Sequence, residues 1–331
     1  MLRKLTGAAL IAASLLSASF AQAADTVNFG IISTESSTNL KKTWQPFLGA
    51  MRKSTGLDIK AFFASDYAGV IEGMRFNKVQ IAWFGNKSGM EAVDRSNGEV
   101  FAQTVDVSGN PGYWSLLITQ KDSPINNLDD LMKCDKSINF GIGDPNSTSG
   151  FLVPTTYIFA ARNIAPKECF KTVRNASHEV NALSVANDQV DVATNNTESM
   201  RRIEITKPDA FKKIKIIWKS PLIPSDPLVW RNDLDDGVKS KIYKFVMSYG
   251  RNGSPEEVEA ARKVLAELQW APFKPSSNAQ LYPIRILAIN KTILQIKGDK
   301  KMTAAEKETK IAELNVKAAA IEKLVAVVPS M

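Results

Sequence analysis

The chain has 331 residues, with 42 Lys and Arg against 34 Asp and Glu and a formal net charge of +8. One histidine, His178, excludes a histidine-rich metal site, and the two cysteines lack the close spacing of zinc ligands, so no metal or cofactor is expected. The excess lysines are scattered along helix faces and no nucleic-acid recognition motif is present, so the charge reads as a solvated surface and no nucleic-acid partner is expected.

At the N-terminus, Arg3 and Lys4 precede an apolar run over residues 5–20, and Ala21-Gln22-Ala23 supplies a small-residue cleavage pattern. This predicts a signal peptide over 1–23 and an exported mature chain beginning at Ala24. The run is too short for a membrane anchor, and no later stretch is apolar for long enough to span a bilayer. Without Arg3 and Lys4 the count is 40 basic against 34 acidic residues, a net charge of about +6. A mature chain of this length normally divides into two domains.

From there strand and helix patterns alternate. Residues 26–33, 57–64 and 80–84 read as strands, 40–54, 67–76 and 86–95 as helices, and 100–107 and 113–119 as extended segments. A turn at Lys121-Asp122-Ser123-Pro124 restarts the pattern: helix 128–132, strand 137–142, long helix 148–163, strand 171–175, helix 179–187 and strands 190–194 and 214–218. Pro221, Pro224 and Pro227 punctuate a crossing into an extended segment over 228–231, followed by helices over 236–249 and 255–268. Such alternation predicts α/β architecture with largely parallel sheets. The proline-marked crossings predict two lobes: lobe 1 from 24–121 and 225–300, and lobe 2 from 122–224, with a C-terminal helix over 301–331. In that last helix Ile311, Leu314, Ala318, Ile321, Val325 and Val328 form a heptad-like stripe, which serves either a homodimer or packing on the chain's own body.

The most informative stretch is Asp144-Pro145-Asn146-Ser147-Thr148-Ser149-Gly150, between a strand and a helix. The first N–H groups of a helix lack internal partners and, with the helix dipole, favour an anion. One hydroxyl suffices for a helix cap, so three in succession point to a tetrahedral oxyanion. Glu198 follows the strand 190–194, at the carboxyl end where α/β folds place ligands, and reads either as a first-turn acid or as an acceptor for an ammonium. Asp226, between Pro224 and Pro227, is a turn residue or a carboxylate facing the cleft. Tyr67 and Tyr113 each open an element beside a turn and can offer a phenolic donor; His178 alone carries little information.

The runs D-Y-A-G (66–69), M-R-F-N-K-V (74–79), P-G-Y-W-S (111–115), G-D-P-N-S-T-S-G-F (143–151), D-V-A-T-N-N-T-E (191–198) and W-K-S-P-L-I-P (218–224) resemble the periplasmic phosphonate-binding proteins of ABC transporters. The likeness covers nearly all the mature chain. It implies a periplasmic, two-lobed binding protein of the type II solute-binding fold, with a C-terminal helical extension, that works with a membrane permease. By motif match, Ser147, Thr148, Ser149, His178, Tyr67 and Tyr113 would hold the phosphonate group, and Glu198 with Asp226 would receive the amine of 2-aminoethylphosphonate. Phe84, in W-F-G-N, stands where the family often carries tyrosine, so any polar role there is lost.

Two carboxylates beside an anion repel it unless the ligand brings its own cation, which argues against phosphite, phosphate or methylphosphonate. A secreted hydrolase with a nucleophile among Ser147–Ser149 and His178 as base lacks an evident third group and any G-x-S-x-G elbow. Cys134 and Cys169 precede the strands 137–142 and 171–175, which one helix connects in a right-handed βαβ unit. Adjacent strands lie within disulfide reach, so a Cys134–Cys169 bridge is expected in an oxidising compartment, against two buried thiols.

Overall fold

A computed structural model describes residues 25–327. The signal peptide read over 1–23 and Val328 of the heptad stripe lie outside the described residues. The first half of the chain runs β1 (Thr26–Ile31), α1 (Ser37–Thr55), β2 (Asp58–Phe63), α2 (Tyr67–Arg75), β3 (Ile81–Trp83), α3 (Asn86–Arg95), β4 (Gly98–Asp106), β5 (Gly112–Tyr113), β6 (Ser115–Gln120), α4 (Leu128–Leu131) and β7 (Asn139–Ile142). Two π-helical stretches, Thr148–Leu152 and Thr155–Phe159, and a 3-10 turn then lead to α5 (Pro166–Cys169), β8 (Thr172–Asn175), α6 (His178–Ala186), β9 (Val192–Asn196), α7 (Thr197–Thr206) and α8 (Pro208–Phe211). The remainder is β10 (Ile214–Lys219), β11 (Ile223–Pro224), β12 (Pro227–Arg231), α9 (Asp236–Ser248), α10 (Pro255–Glu267), β13 (Trp270–Pro275), α11 (Tyr282–Gly298) and α12 (Ala304–Val327).

Two sheets define the lobes. The first has the order β13-β4-β12-β3-β1-β2 and the second β10-β6-β9-β7-β8; a two-stranded ribbon, β11-β5, lies on the crossings. Each sheet is mixed, not largely parallel as the alternation predicts. β2-β1-β3 and β8-β7-β9 are parallel blocks, to which β12, β4 and β13 in one sheet, and β6 and β10 in the other, add antiparallel. The added strands flank the segments that travel between lobes, where the chain returns in extended form without a crossover helix. The crossing also comes earlier than a boundary at 121, because β6 pairs in the second sheet.

The first lobe's core is built from helical stripes laid on the sheet. In α1, Trp44, Phe47, Leu48 and Met51 are buried at helical spacing, and the helix stops at Gly56, whose φ of 70° suits a residue without Cβ. Trp44, Trp83 and Trp270 pack as a triangle with ring centroids 5.3–5.6 Å apart. Phe84 is fully buried in this core. In the second lobe Phe140, Phe159 and Phe170 stack on one face of the sheet, while Leu116, Ile118, Val185 and Met200 cover the other. Cys134 and Cys169 are disulfide-bonded at the amino ends of β7 and β8, which pair in parallel.

The C-terminal region departs from its assignment to lobe 1. α11 starts in the first lobe's core at Ile284, and its distal half, at Leu294 and Gln295, meets Thr155 and Ile164 of the second lobe. α12 folds back on α11. Of the heptad stripe, Ala318 is buried and Ile311, Leu314 and Ile321 are half-buried, whereas Val325 is exposed.

Candidate functional site

The carboxyl ends of β1, β3, β7 and β9 meet across the lobes around a small, narrow cavity. Its wall includes all eight residues singled out from the sequence: Tyr67, Tyr113, Ser147, Thr148, Ser149, His178, Glu198 and Asp226. Each of them is at least 90 % buried.

One side is a wall of hydroxyls. Ser147 is the cap foreseen for this junction, its Oγ accepting from Gly150 N at 2.9 Å. Thr148 Oγ1 accepts from Lys87 N at 2.8 Å across the cleft, and Ser149 Oγ accepts from Asn196 Nδ2 at 3.0 Å. Each hydroxyl oxygen thus accepts one bond; the protons of Thr148 and Ser149 remain available to donate, while the Ser147 hydroxyl also pairs with Tyr67. The turn closes against the end of β7 only because two glycines face each other there: a Cβ on Gly143 would fall 2.5 Å from Gly150 Cα. The helix expected over 148–163 is present in outline but wound in wide turns, Leu152 N bonding to Ser147 O five residues back.

Asn196 fixes the state of His178. Its Oδ1 caps α7 by accepting from Ser199 N at 2.7 Å, so its other end must be the amide nitrogen. That Nδ2 lies 3.2 Å from His178 Nε2, which is thereby the acceptor, leaving the imidazole proton on Nδ1. Burial, reinforced by the Arg202 charge, lowers the His178 pKa to about 3, so the ring is neutral. Among the described residues His178 Nδ1 has no hydrogen-bond partner, and neither do the side-chain polar atoms of Thr34 and Trp83, which also line the cavity.

The opposite side is acidic. Tyr113 Oη donates to Asp226 Oδ1 at 2.9 Å, and Asn86 Nδ2 approaches the same oxygen at 3.4 Å. Burial raises the Asp226 pKa well above the carboxylate range, and the nearby Glu198 charge raises it further. Burial likewise pushes Glu198 up to about 7, against the pull of Arg202. Burial, followed by carboxylate neighbours, also raises Tyr67 and Tyr113, so both phenols stay protonated donors. Arg202, which also lines the cavity, is paired with Glu35, so closing the cavity without a further cation leaves a buried carboxylate or takes up a proton.

A family model for periplasmic substrate-binding proteins of phosphonate ABC transporters matches residues 29–281. The chain belongs to that family. It is 56% identical over 298 residues to the phosphonates-binding periplasmic protein of Escherichia coli (strain K12), covering 90% of this chain and 86% of that one. A solved structure of the binding-protein component of an ABC phosphonate transporter from Pseudomonas aeruginosa superposes with a TM-score of 0.88 at 55% identity, over 92% of this chain and 98% of the other. The fold is shared more widely: PhnD1 of Prochlorococcus marinus, solved with methylphosphonate, gives a TM-score of 0.69 at 20% identity, over 80% of this chain and 97% of the other.

As a phosphonate-family binding protein, the chain is the periplasmic substrate-binding component of an ABC importer, works with the importer's permease, and is not an enzyme. The site agrees: His178 Nε2 is held by an amide donor and its ring is too weakly basic to activate a serine. Phe84 packs into the core and does not line the cavity. Sequence reasoning missed Thr34, Trp83, Asn196 and Arg202, which also line it. Arg202 lies four residues after Glu198 on α7, on the same helical face, and pairs with Glu35 of the first lobe at 2.6 Å. That spacing was the available signal.

Proposed function

We propose that this chain captures 2-aminoethylphosphonate in the inter-lobe cavity. The observation that carries the reading is the polarity of the site: three successive hydroxyls that can donate face the cavity together with Glu198 and Asp226. Ser147, Thr148, Ser149, Tyr67 and the Nδ1–H of His178 are donors for the phosphonate oxygens, and Tyr113 joins them only by turning its one proton away from Asp226; charge-assisted bonds of this kind are the stronger ones. Glu198 and Asp226 take the ammonium, which supplies the positive charge that their burial demands. A ligand without an amine must instead enter with a carboxyl protonated. Calorimetric titration with 2-aminoethylphosphonate, ethylphosphonate and phosphate tests this: the amino ligand binds tightest, and equal affinity for 2-aminoethylphosphonate and ethylphosphonate sinks the amine assignment.

The residues 1–23 act as the export signal on this reading, which fits a periplasmic family; N-terminal sequencing of the exported protein would begin at Ala24. The C-terminal helix joins two copies of the chain. The heptad stripe is the surface read for that partner, and the competing role, packing on the chain's own body, draws on the same stripe where α12 folds back on α11.

A further inference from the structure

Three helices of the first lobe point their N-termini at the cleft, and in each an early amide is bonded by the second lobe. In α1, Ser36 Oγ accepts from Asn39 N at 3.2 Å, which is one half of a capping box. The other half needs a long acidic or amide side chain at the third helical position, where Asn39 is too short. Glu179 of the second lobe makes it instead, with Oε2 accepting from Ser36 N at 2.9 Å and Oε1 from Asn39 Nδ2 at 2.7 Å. In α2, Asp66 caps Gly69 N, and Tyr67 N donates to Asp144 Oδ2 of the second lobe at 3.1 Å. In α3 the capping position is Gly85, which has no side chain to offer, and Thr148 Oγ1 takes the Lys87 amide.

We propose that Glu179 and Asp144 are positioning residues that hold the lobes shut by capping first-lobe helices in trans, and so set affinity for every ligand by one common factor. The inference rests on the reading that the cavity between the lobes is the ligand site. Neither carboxylate lines that cavity. Each is nonetheless tied to it: Glu179 follows His178 in the first turn of α6, and Asp144 opens the loop that presents Ser147, Thr148 and Ser149. The movement that brings the second-lobe donors onto a ligand therefore also seats these acids on the positive ends of α1 and α2. When the cleft opens, water takes their place. The bonds then bias only the closed state, and a bias of that kind scales all apparent affinities together.

The test is Glu179→Gln in the full-length protein, titrated by calorimetry with 2-aminoethylphosphonate and ethylphosphonate, alongside the thermal midpoint of the ligand-free protein. Loss of one charge-assisted contact predicts affinities about tenfold weaker for both ligands, in an unchanged ratio, with the ligand-free midpoint lowered no more than in Lys207→Gln, which removes the 3.6 Å pair of Glu179 with Lys207 in its own lobe. Unchanged affinities overturn the proposal. So does a changed ratio, which would mean contact with the ligand, and so does a fall in the ligand-free midpoint beyond that of Lys207→Gln, which would make Glu179 chiefly a support of its own lobe. If the variant fails to fold, Asn39→Ala removes part of the same contact from the other lobe, and a several-fold loss common to both ligands is expected; no loss overturns the proposal. Equal wild-type affinity for the two ligands would sink the amine assignment and leave the common loss as the measure of the latch.

Discussion

Glu198→Gln keeps the shape of the side chain and removes its charge, so it separates the two roles that burial gives this acid. With 2-aminoethylphosphonate the variant loses the ionic partner of the ammonium, and removing one member of a buried charged pair costs ~2–5 kcal/mol, a weakening of about 30-fold or more. With ethylphosphonate the sign reverses. In the closed cavity the Glu198 pKa is raised from 4.5 to about 7, chiefly by burial. Between those values a closed complex without an amine holds a proton that the open, hydrated site does not. Wild-type affinity for ethylphosphonate therefore falls as pH rises through this window, by up to ~3 kcal/mol above pH 7. Glutamine carries no such proton, so at pH 8 the variant should bind ethylphosphonate about tenfold tighter or better than wild type, and at pH 5 the advantage should shrink. Calorimetry at the two pH values, with the variant subtracted from wild type for each ligand, cancels the ionisation of the phosphonate itself. Weaker binding of both ligands by one factor, or no gain for ethylphosphonate at pH 8, would refute the reasoning.

Three further outcomes are expected. Thr148→Ala should weaken 2-aminoethylphosphonate and ethylphosphonate alike, by about tenfold, because it removes a donor to the shared group and a contact to α3; a selective loss measured by titration would place the amine there instead. Replacing Cys134 and Cys169 together by serine should cost ~3–4 kcal/mol for a loop of this length, read as a lower denaturant midpoint, while two reactive thiols in unfolded, unreduced wild-type protein would rule the bridge out. Full-length protein should sediment as a dimer at micromolar concentration, and deletion of residues 303–331 should yield a folded monomer that still binds ligand; a full-length monomer ends the dimer proposal.

Most of the site was legible because its residues sit where parallel strands end, and strand ends are marked by the change from apolar runs to Ser, Thr, Asn and Asp. The parallel blocks were legible for the same reason. The added strands β4, β6, β10 and β12 were legible as extended segments, but their antiparallel direction was not. Strand β13 was not legible at all: it reads Trp270-Ala271-Pro272-Phe273-Lys274-Pro275, and its two prolines argue against a strand until it is seen at a sheet edge, where missing donors cost little. The path of α11 across both lobes leaves no local mark, since a half-buried helix looks the same whichever lobe covers it. The wide turns after Ser147 are equally silent, with Pro154 the only interruption visible in the sequence. Arg202 was missed because its role depends on Glu35, which is far away in the sequence.

The tryptophan triangle has an optical consequence. Trp83 touches the cavity on one side and Trp44 and Trp270 on the other, at separations short enough for excitation to pass among the three indoles. A change of charge or hydration at the cavity wall therefore reaches the emission of the whole group. On the proposed site, ligand capture and release should be readable from the protein's own ultraviolet fluorescence, with no dye attached to either lobe.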